Sequence, residues 1–246
     1  MGDFFSYFFD HFDQVGSGLW LTVQATVYGA LLAFVLSFAF GFMGRSGYTV
    51  VRGLSRVIVE FFRGTSLYIQ LFWLYYALPP LTGYELSALF CGVVAFGLNY
   101  GAYGSEVVRG ALNAVPRAQF EAAVALNLSP FQRMRRVILP QAWVQMIPSL
   151  TSLLIMLLKA TPLLWLISAA DLTQVVQAMR DRTGATVPAY LTLLVMYFVL
   201  AYLLTLAMNA LERSAKTRLG QREEAKGLFR SRSAAPATTT STGGVA

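Results

Sequence analysis

Four side chains able to carry charge or a strong hydrogen bond interrupt otherwise apolar stretches: Glu60, Arg63, Asn99 and Lys159. If those stretches cross a bilayer, a charge near its centre costs ~2.5–3.5 kcal/mol, and each Leu, Ile, Phe or Val returns only ~0.3–0.6 kcal/mol. Such groups must therefore face protein or a water-filled path. Glu60 and Arg63 are three residues apart and share a helix face. They either lock a bundle as an ion pair or line a polar path. Gln70, two turns beyond Arg63, adds a donor and an acceptor, and Gly64-Thr65 permits a bend between them. Lys159 has no acid close in sequence. It suits a carboxylate, or else it snorkels or pairs within the fold. Pro162 follows three residues later, removes a backbone hydrogen bond, and should bend or break the helix there. A broken helix at membrane depth exposes backbone groups that can hold a polar solute.

Much enzyme chemistry is excluded by what the chain lacks. His11 and Cys91 are the single histidine and cysteine, so neither a disulfide framework nor a cysteine or histidine metal cluster is available. No nucleophile–base pair stands out. No glycine precedes a lysine, so there is no G-x-x-x-x-G-K-[ST] phosphate loop and no ATPase of that type. No cofactor is expected.

The elements that must position these residues are membrane helices. Of 246 residues, 56% are hydrophobic and only 13% charged, a membrane composition. Apolar runs predict five crossings, at about 18–43, 57–78, 86–108, 143–167 and 188–211, each long enough for ~30 Å of hydrocarbon. Residues 171–182 carry Leu172, Val175, Val176 and Met179 at helical spacing and predict a short interfacial helix. Gly97, Gly101 and Ser105 form a small-residue face suited to close helix packing. Glu106 and Arg109 should pair at the end of the third crossing. The +7 net charge is distributed as topology signals rather than as a nucleic-acid patch: three Arg in 45–56, five in 109–136 and seven basic residues in 213–232, all on one side of the five-span arrangement. The N-terminus and the 79–85 loop have no Lys or Arg, and Arg180 and Arg182 are offset by Asp171 and Asp181. The expectation is an all-α polytopic protein, N-terminus outside and C-terminus inside, with its basic residues against anionic lipid. Residues 1–16, aromatic and acidic, are expected to lie on the outer interface, with no cleaved signal peptide. The transmembrane domain is placed at 17–212. From 213 the chain is a basic tail that turns to Ser, Ala, Thr and Gly and is expected to be disordered.

Between the third and fourth crossings lies a polar loop, residues 113–140, too charged to enter the membrane. It predicts two short helices, the first over about 116–126. Ser129 is an N-cap, Pro130 suits the first helical position, and Gln132 completes a capping box. Asn127 tolerates the left-handed turn between the helices. Glu121-Ala122-Ala123, then three residues, Asn127, nine residues, and Val137-Ile138-Leu139-Pro140 resemble the EAA loop of ABC importer permeases, with Asn127 in place of Gly and Val137 in place of Ile.

The resemblance spans about residues 18–219 and implies a permease subunit in the plasma (inner) membrane of a bacterium, working by alternating access. It implies two copies of an ATPase subunit on other chains, a second permease in a homo- or heterodimer, and an extracytoplasmic solute-binding protein. Glu121, Ala122, Ala123, Asn127, Leu139 and Pro140 would form the cytoplasmic coupling hairpin that docks on the ATPase. The stretch EFFRGTSLYIQ resembles the E-F-F-R-G-T-P-L-x-x-Q segment of polar-amino-acid permeases, which puts Glu60, Arg63 and Gln70 on the substrate path. LLKAT, ending in Lys159, Ala160 and Thr161, resembles that group's L-L-K-D-T-S-L but lacks its Asp. Together with LNYGAYGSEVVRGALNAVP it is most similar to the ectoine/hydroxyectoine permease. That resemblance implies a compatible solute without a free ammonium, held by Lys159 and Thr161. A permease for a standard polar amino acid is the alternative, and an ion-gradient-driven carrier is the alternative from another class. Glu60 is the only acid deep in a span, which disfavours the carrier.

Overall fold

The structure is a computed structural model that describes residues 2–218, with side chains from residue 4 to residue 214. Every regular element is helical, and there is no strand among the described residues. The helices are α1 (Gly2–Asp10), α2 (Phe12–Met43), α3 (Thr49–Gly64), α4 (Leu67–Phe72), α5 (Leu78–Thr82), α6 (Ala88–Ala114), α7 (Arg117–Ala125), α8 (Pro130–Arg133), α9 (Leu139–Ala160), α10 (Leu172–Thr183) and α11 (Thr186–Arg218). A π turn over Trp73–Ala77 joins α4 to α5, another over Met134–Ile138 joins α8 to α9, and a 3₁₀ segment, Thr161–Ile167, extends α9.

Helix α6 is the hub, packed against α2, α3, α4 and α9. Its pairing with α2 is set by small residues on both sides. The buried positions of α2 include Gly18, Thr22, Ala25, Gly29, Ala33, Ser37 and Gly41, one per helical turn. On α6, a Cβ added at Gly97 would collide with Leu32, and one at Gly101 would meet Leu36 and the Ala33 backbone. Ser37 then reaches across to the Gly101 carbonyl at 3.3 Å. The predicted small-residue face is therefore the main helix contact of the fold.

Three helical stretches are long and apolar enough to cross a membrane: Phe12–Met43, Pro130–Ile167 and Thr186–Ser214. Helices α3 and α4–α5 meet that description only as a pair, bent by 100°. Helix α6 has 27 residues, about 40 Å at 1.5 Å each, but is more polar. Neighbours wrap it, so its surface need not suit lipid.

The boundaries differ from the sequence expectations in three places. The segment 1–16, for which no element is predicted, holds a helix ending at Asp10, and α2 starts at Phe12, ahead of the expected span start near residue 18. The second expected span is not one straight helix. Pro140 does not end the polar loop, because the π turn before it accommodates the missing N–H, and the chain stays helical from Pro130 to Ala160. Most of the C-terminal tail, from residue 219, lies outside the described residues.

Candidate functional site

The chain breaks its helices twice beside the polar residues, and α6 holds both breaks. The first falls at Thr65, after α3. Ending a helix inside an apolar bundle strands its last carbonyls, and each must find a donor. Gln70 Nε2 donates to the Phe62 carbonyl (2.9 Å), to the Thr65 carbonyl (3.3 Å) and to Thr65 Oγ1 (2.7 Å). Asn99 Nδ2 donates to the same Phe62 carbonyl (2.9 Å) and to Gln70 Oε1 (3.3 Å). Tyr103 OH donates to the Arg63 carbonyl (3.3 Å), and the Arg63 guanidinium lies 5.4 Å from the centre of the Tyr103 ring. Thr65 closes the set by donating to Phe61 through both its N–H and its hydroxyl. Gln70 and Asn99 are both buried. The Glu60–Arg63 ion pair forms at 3.5 Å, with the Glu60 side chain 65% exposed.

The second break follows Ala160, where α9 tightens into the 3₁₀ segment at Pro162, as the proline predicts. Tyr100, the neighbour of Asn99, donates to the Met156 carbonyl one turn before it (3.1 Å). Adjacent residues of α6 thus pin both breaks. Tyr76 also donates to the Leu166 carbonyl (3.2 Å), tying the π turn to the end of the 3₁₀ segment. Thr161 is fully buried and donates to the Leu158 carbonyl (2.8 Å). Lys159 is exposed and makes no hydrogen bond or ion pair among the described residues. An intramembrane ammonium without a partner is a functional-site signal.

The polar hairpin follows the expected design. Ser129 Oγ accepts from Gln132 N (3.3 Å) while Gln132 Oε1 accepts from Ser129 N (3.1 Å), completing the capping box. Asn127 takes φ 55°, and Leu128 N donates back to the Ala123 carbonyl (3.1 Å) across the turn. Ala123 is buried, and Phe120, Val137 and Leu139 pack on a cluster formed by Val108, Leu112, Ile138 and Met146. Gln141 Nε2 bonds Gln119 Oε1 (3.2 Å), fixing α7 to the start of α9. Glu106 and Arg109 pair just above. Glu121 and Ala122 face outward, and beside them stand Val124 (51% exposed), Leu126 (73%) and Phe131 (70%). The sequence had singled out none of these three. Their signal was available: three large apolar residues in a loop too polar to bury them.

Comparison with known proteins agrees with this architecture. Residues 33–217 match the family described as binding-protein-dependent transport system inner membrane component. The chain is 43% identical over 218 residues to the probable amino-acid ABC transporter permease y4tF of Sinorhizobium fredii, covering 87% of this chain and 92% of the relative. It is 32% identical over 204 residues to the arginine transport system permease ArtQ of Bacillus subtilis, covering 81% and 91%. Among solved structures it is similar to an amino acid ABC transporter crystallised with histidines, with a TM-score of 0.79 at 28% identity over 85% of this chain and 98% of that one. The methionine transporter MetNI in an inward-facing form shares the fold, with a TM-score of 0.71 at 22% identity over 84% and 98%. These likenesses leave the gradient-driven carrier without support. The chain belongs to the family of binding-protein-dependent transport system inner membrane components: it is a multi-pass permease subunit of the bacterial plasma membrane, and hydrolysis of ATP is the work of a separate subunit.

Proposed function

We propose that the chain forms one half of the solute pathway of an amino-acid-type ABC importer, crossing the membrane five times with its N-terminus outside and C-terminus inside. A second permease, alike or related, completes the pathway. A binding protein delivers solute to the outer face near residues 168–187. Two ATPase subunits dock on the face formed by Glu121, Ala122, Val124, Leu126 and Phe131. That face carries a charge for a charge-assisted bond and apolar surface for a groove. Because α8 runs on into α9, movement of the hairpin passes directly to Lys159 and the second break.

The unpaired Lys159 carries the substrate reading. An ammonium beside broken backbone suits a carboxylate, and Ala160 supplies no acid for a free ammonium on the solute. We place ectoine or hydroxyectoine first among candidate solutes, since a cyclic amidine carboxylate spreads its positive charge and has no free ammonium. A standard amino acid is the second reading. It is favoured by the names of the relatives, one an arginine permease, and by the exposed Glu60 carboxylate, which could meet a cation. On either reading Thr161 and the Glu60–Arg63 pair border the solute, and Gln70 shapes the border by holding the bend. The test is uptake into proteoliposomes holding permease, ATPase and binding protein. ATP-dependent accumulation of labelled ectoine, unaffected by excess arginine or glutamine, supports the first reading. Uptake of an amino acid that ectoine fails to compete replaces it with the second.

A further inference from the structure

The one buried carboxylate in the described structure has no role in the coupling or substrate readings. Asp171 is fully buried at the head of α10. Its Oδ1 caps the helix by accepting from Gln174 N (3.0 Å), but its Oδ2 has no hydrogen-bond partner. A buried oxygen left without a donor costs about 1–3 kcal/mol, and more when charged. The surroundings are tight. A Cβ at Gly18 of α2 would come within 3.0 Å of the Asp171 carbonyl, and Leu172 N donates to Thr22 Oγ1 (3.1 Å). Thr173 Oγ1 and Tyr197 OH lie 3.1 Å apart beside the carboxyl.

We propose that Asp171 is a buried proton-binding site that links the seating of α10 to pH: in mildly acidic surroundings the carboxyl is neutral while α10 sits on α2 and α11, and it ionises when the helix lifts. An ionised carboxylate there would leave Oδ2 charged, buried and without a donor, and the neutral form avoids that cost. Among the described residues, no cation faces Asp171 to hold the charged form. Helix α2 presents Gly18 and Thr22, the 3₁₀ segment presents Thr161, and α11 presents Tyr197, the only other titratable group facing it. Arg180, Asp181 and Arg182 sit at the far end of α10, where Arg180 bonds Asp181 and Tyr190 and Arg182 bonds Tyr7. Helix α1 packs on that same helix without facing the carboxyl with a charge.

Burial pushes the Asp171 carboxyl up from 3.8 to about 6, offset in part by the Gln174 and Thr173 N–H groups and the two hydroxyls. A carboxyl whose pKa is raised in the seated state favours seating when protonated. Seating is therefore strongest below about pH 4, weakens roughly tenfold per unit as pH rises to about 6, and is level above that. The proposal is independent of which solute is carried.

The test uses the full chain in its assembled transporter, in lipid. Infrared titration should reveal a protonated-carboxyl C=O stretch that disappears with a midpoint near pH 6 and is absent from Asp171→Asn. Spin labels at Ser17 and Ala178 should report a distance distribution that shifts over the same range in the parent and stays in the seated form in Asp171→Asn. If the Asn variant does not assemble, Asp171→Ser keeps a capping oxygen without a titrating group and carries the same expectation. Absence of the band, its persistence in the variant, or label distances indifferent to pH overturns the proposal.

Discussion

The two helix breaks are built on opposite principles. After α3, the exposed carbonyls are met by side chains from far along the sequence: Gln70, Asn99 and Tyr103 satisfy Phe62, Thr65 and Arg63. The charges there are committed as well, Arg63 to Glu60 and to the Tyr103 ring. After α9, the chain closes most of its own carbonyls by tightening into a 3₁₀ segment, and Lys159 is left with nothing to bind. The first break is a fixed joint whose end carbonyls are met by side-chain donors, with Arg63 Nε the one buried side-chain polar atom there left without a partner among the described residues. The second is an open joint with one unspent cation. On the proposed reading, the unpaired Lys159 makes the second joint the place for solute chemistry and the bonded amides make the first the more rigid.

Three substitutions probe that contrast. Lys159→Ala should reduce solute uptake by about tenfold to a hundredfold, the worth of one hydrogen bond to a charged group, while assembly with the ATPase and the thermal unfolding midpoint stay unchanged. A large loss of stability instead would make Lys159 part of the scaffold. Asn99→Leu should do the reverse. Gln70 still reaches the Phe62 carbonyl but loses the donor to its own oxygen, and the fold should weaken by about 1–3 kcal/mol, read as a lower unfolding midpoint in nanodiscs. Thr65→Val should cost least, about 0.5–1.5 kcal/mol, because Gln70 keeps both carbonyl acceptors. Equal effects from the last two would mean that the amide cluster does not hold the bend.

What the sequence could disclose follows from how local each signal is. The hairpin was readable almost residue by residue, because Ser129, Pro130, Gln132 and Asn127 act within one or two helical turns of themselves. Pro162 announced the second break for the same reason. The first break was readable only as a possible bend at Gly64-Thr65. Its 100° angle depends on Asn99 and Tyr103, more than thirty residues away, and no periodicity predicts that pairing. Asn99 stood out as misplaced, but its partner could not be named. Pro140 looked like a loop boundary because a π turn, which shifts the hydrogen-bond register by one residue, leaves no mark in composition. Asp171 counted only as a charge offsetting Arg180 and Arg182, and the packing of α2 against α10 shows it to be a buried helix cap. Leu126 and Phe131 carried no reading, because composition alone does not show which way an apolar side chain in a loop faces.

The central claim is that the hairpin between α6 and α9 carries the motor's stroke into the membrane. It is tested most directly by measuring ATP hydrolysis and solute uptake together in reconstituted transporter bearing Glu121→Ala. Insertion and basal hydrolysis should persist, while stimulation of hydrolysis by solute-loaded binding protein and the accompanying uptake both fall. Full stimulation and full uptake in that variant would contradict the role of Glu121 at the contact, and the same result from Glu121→Ala combined with Leu126→Asp would remove the hairpin from the mechanism.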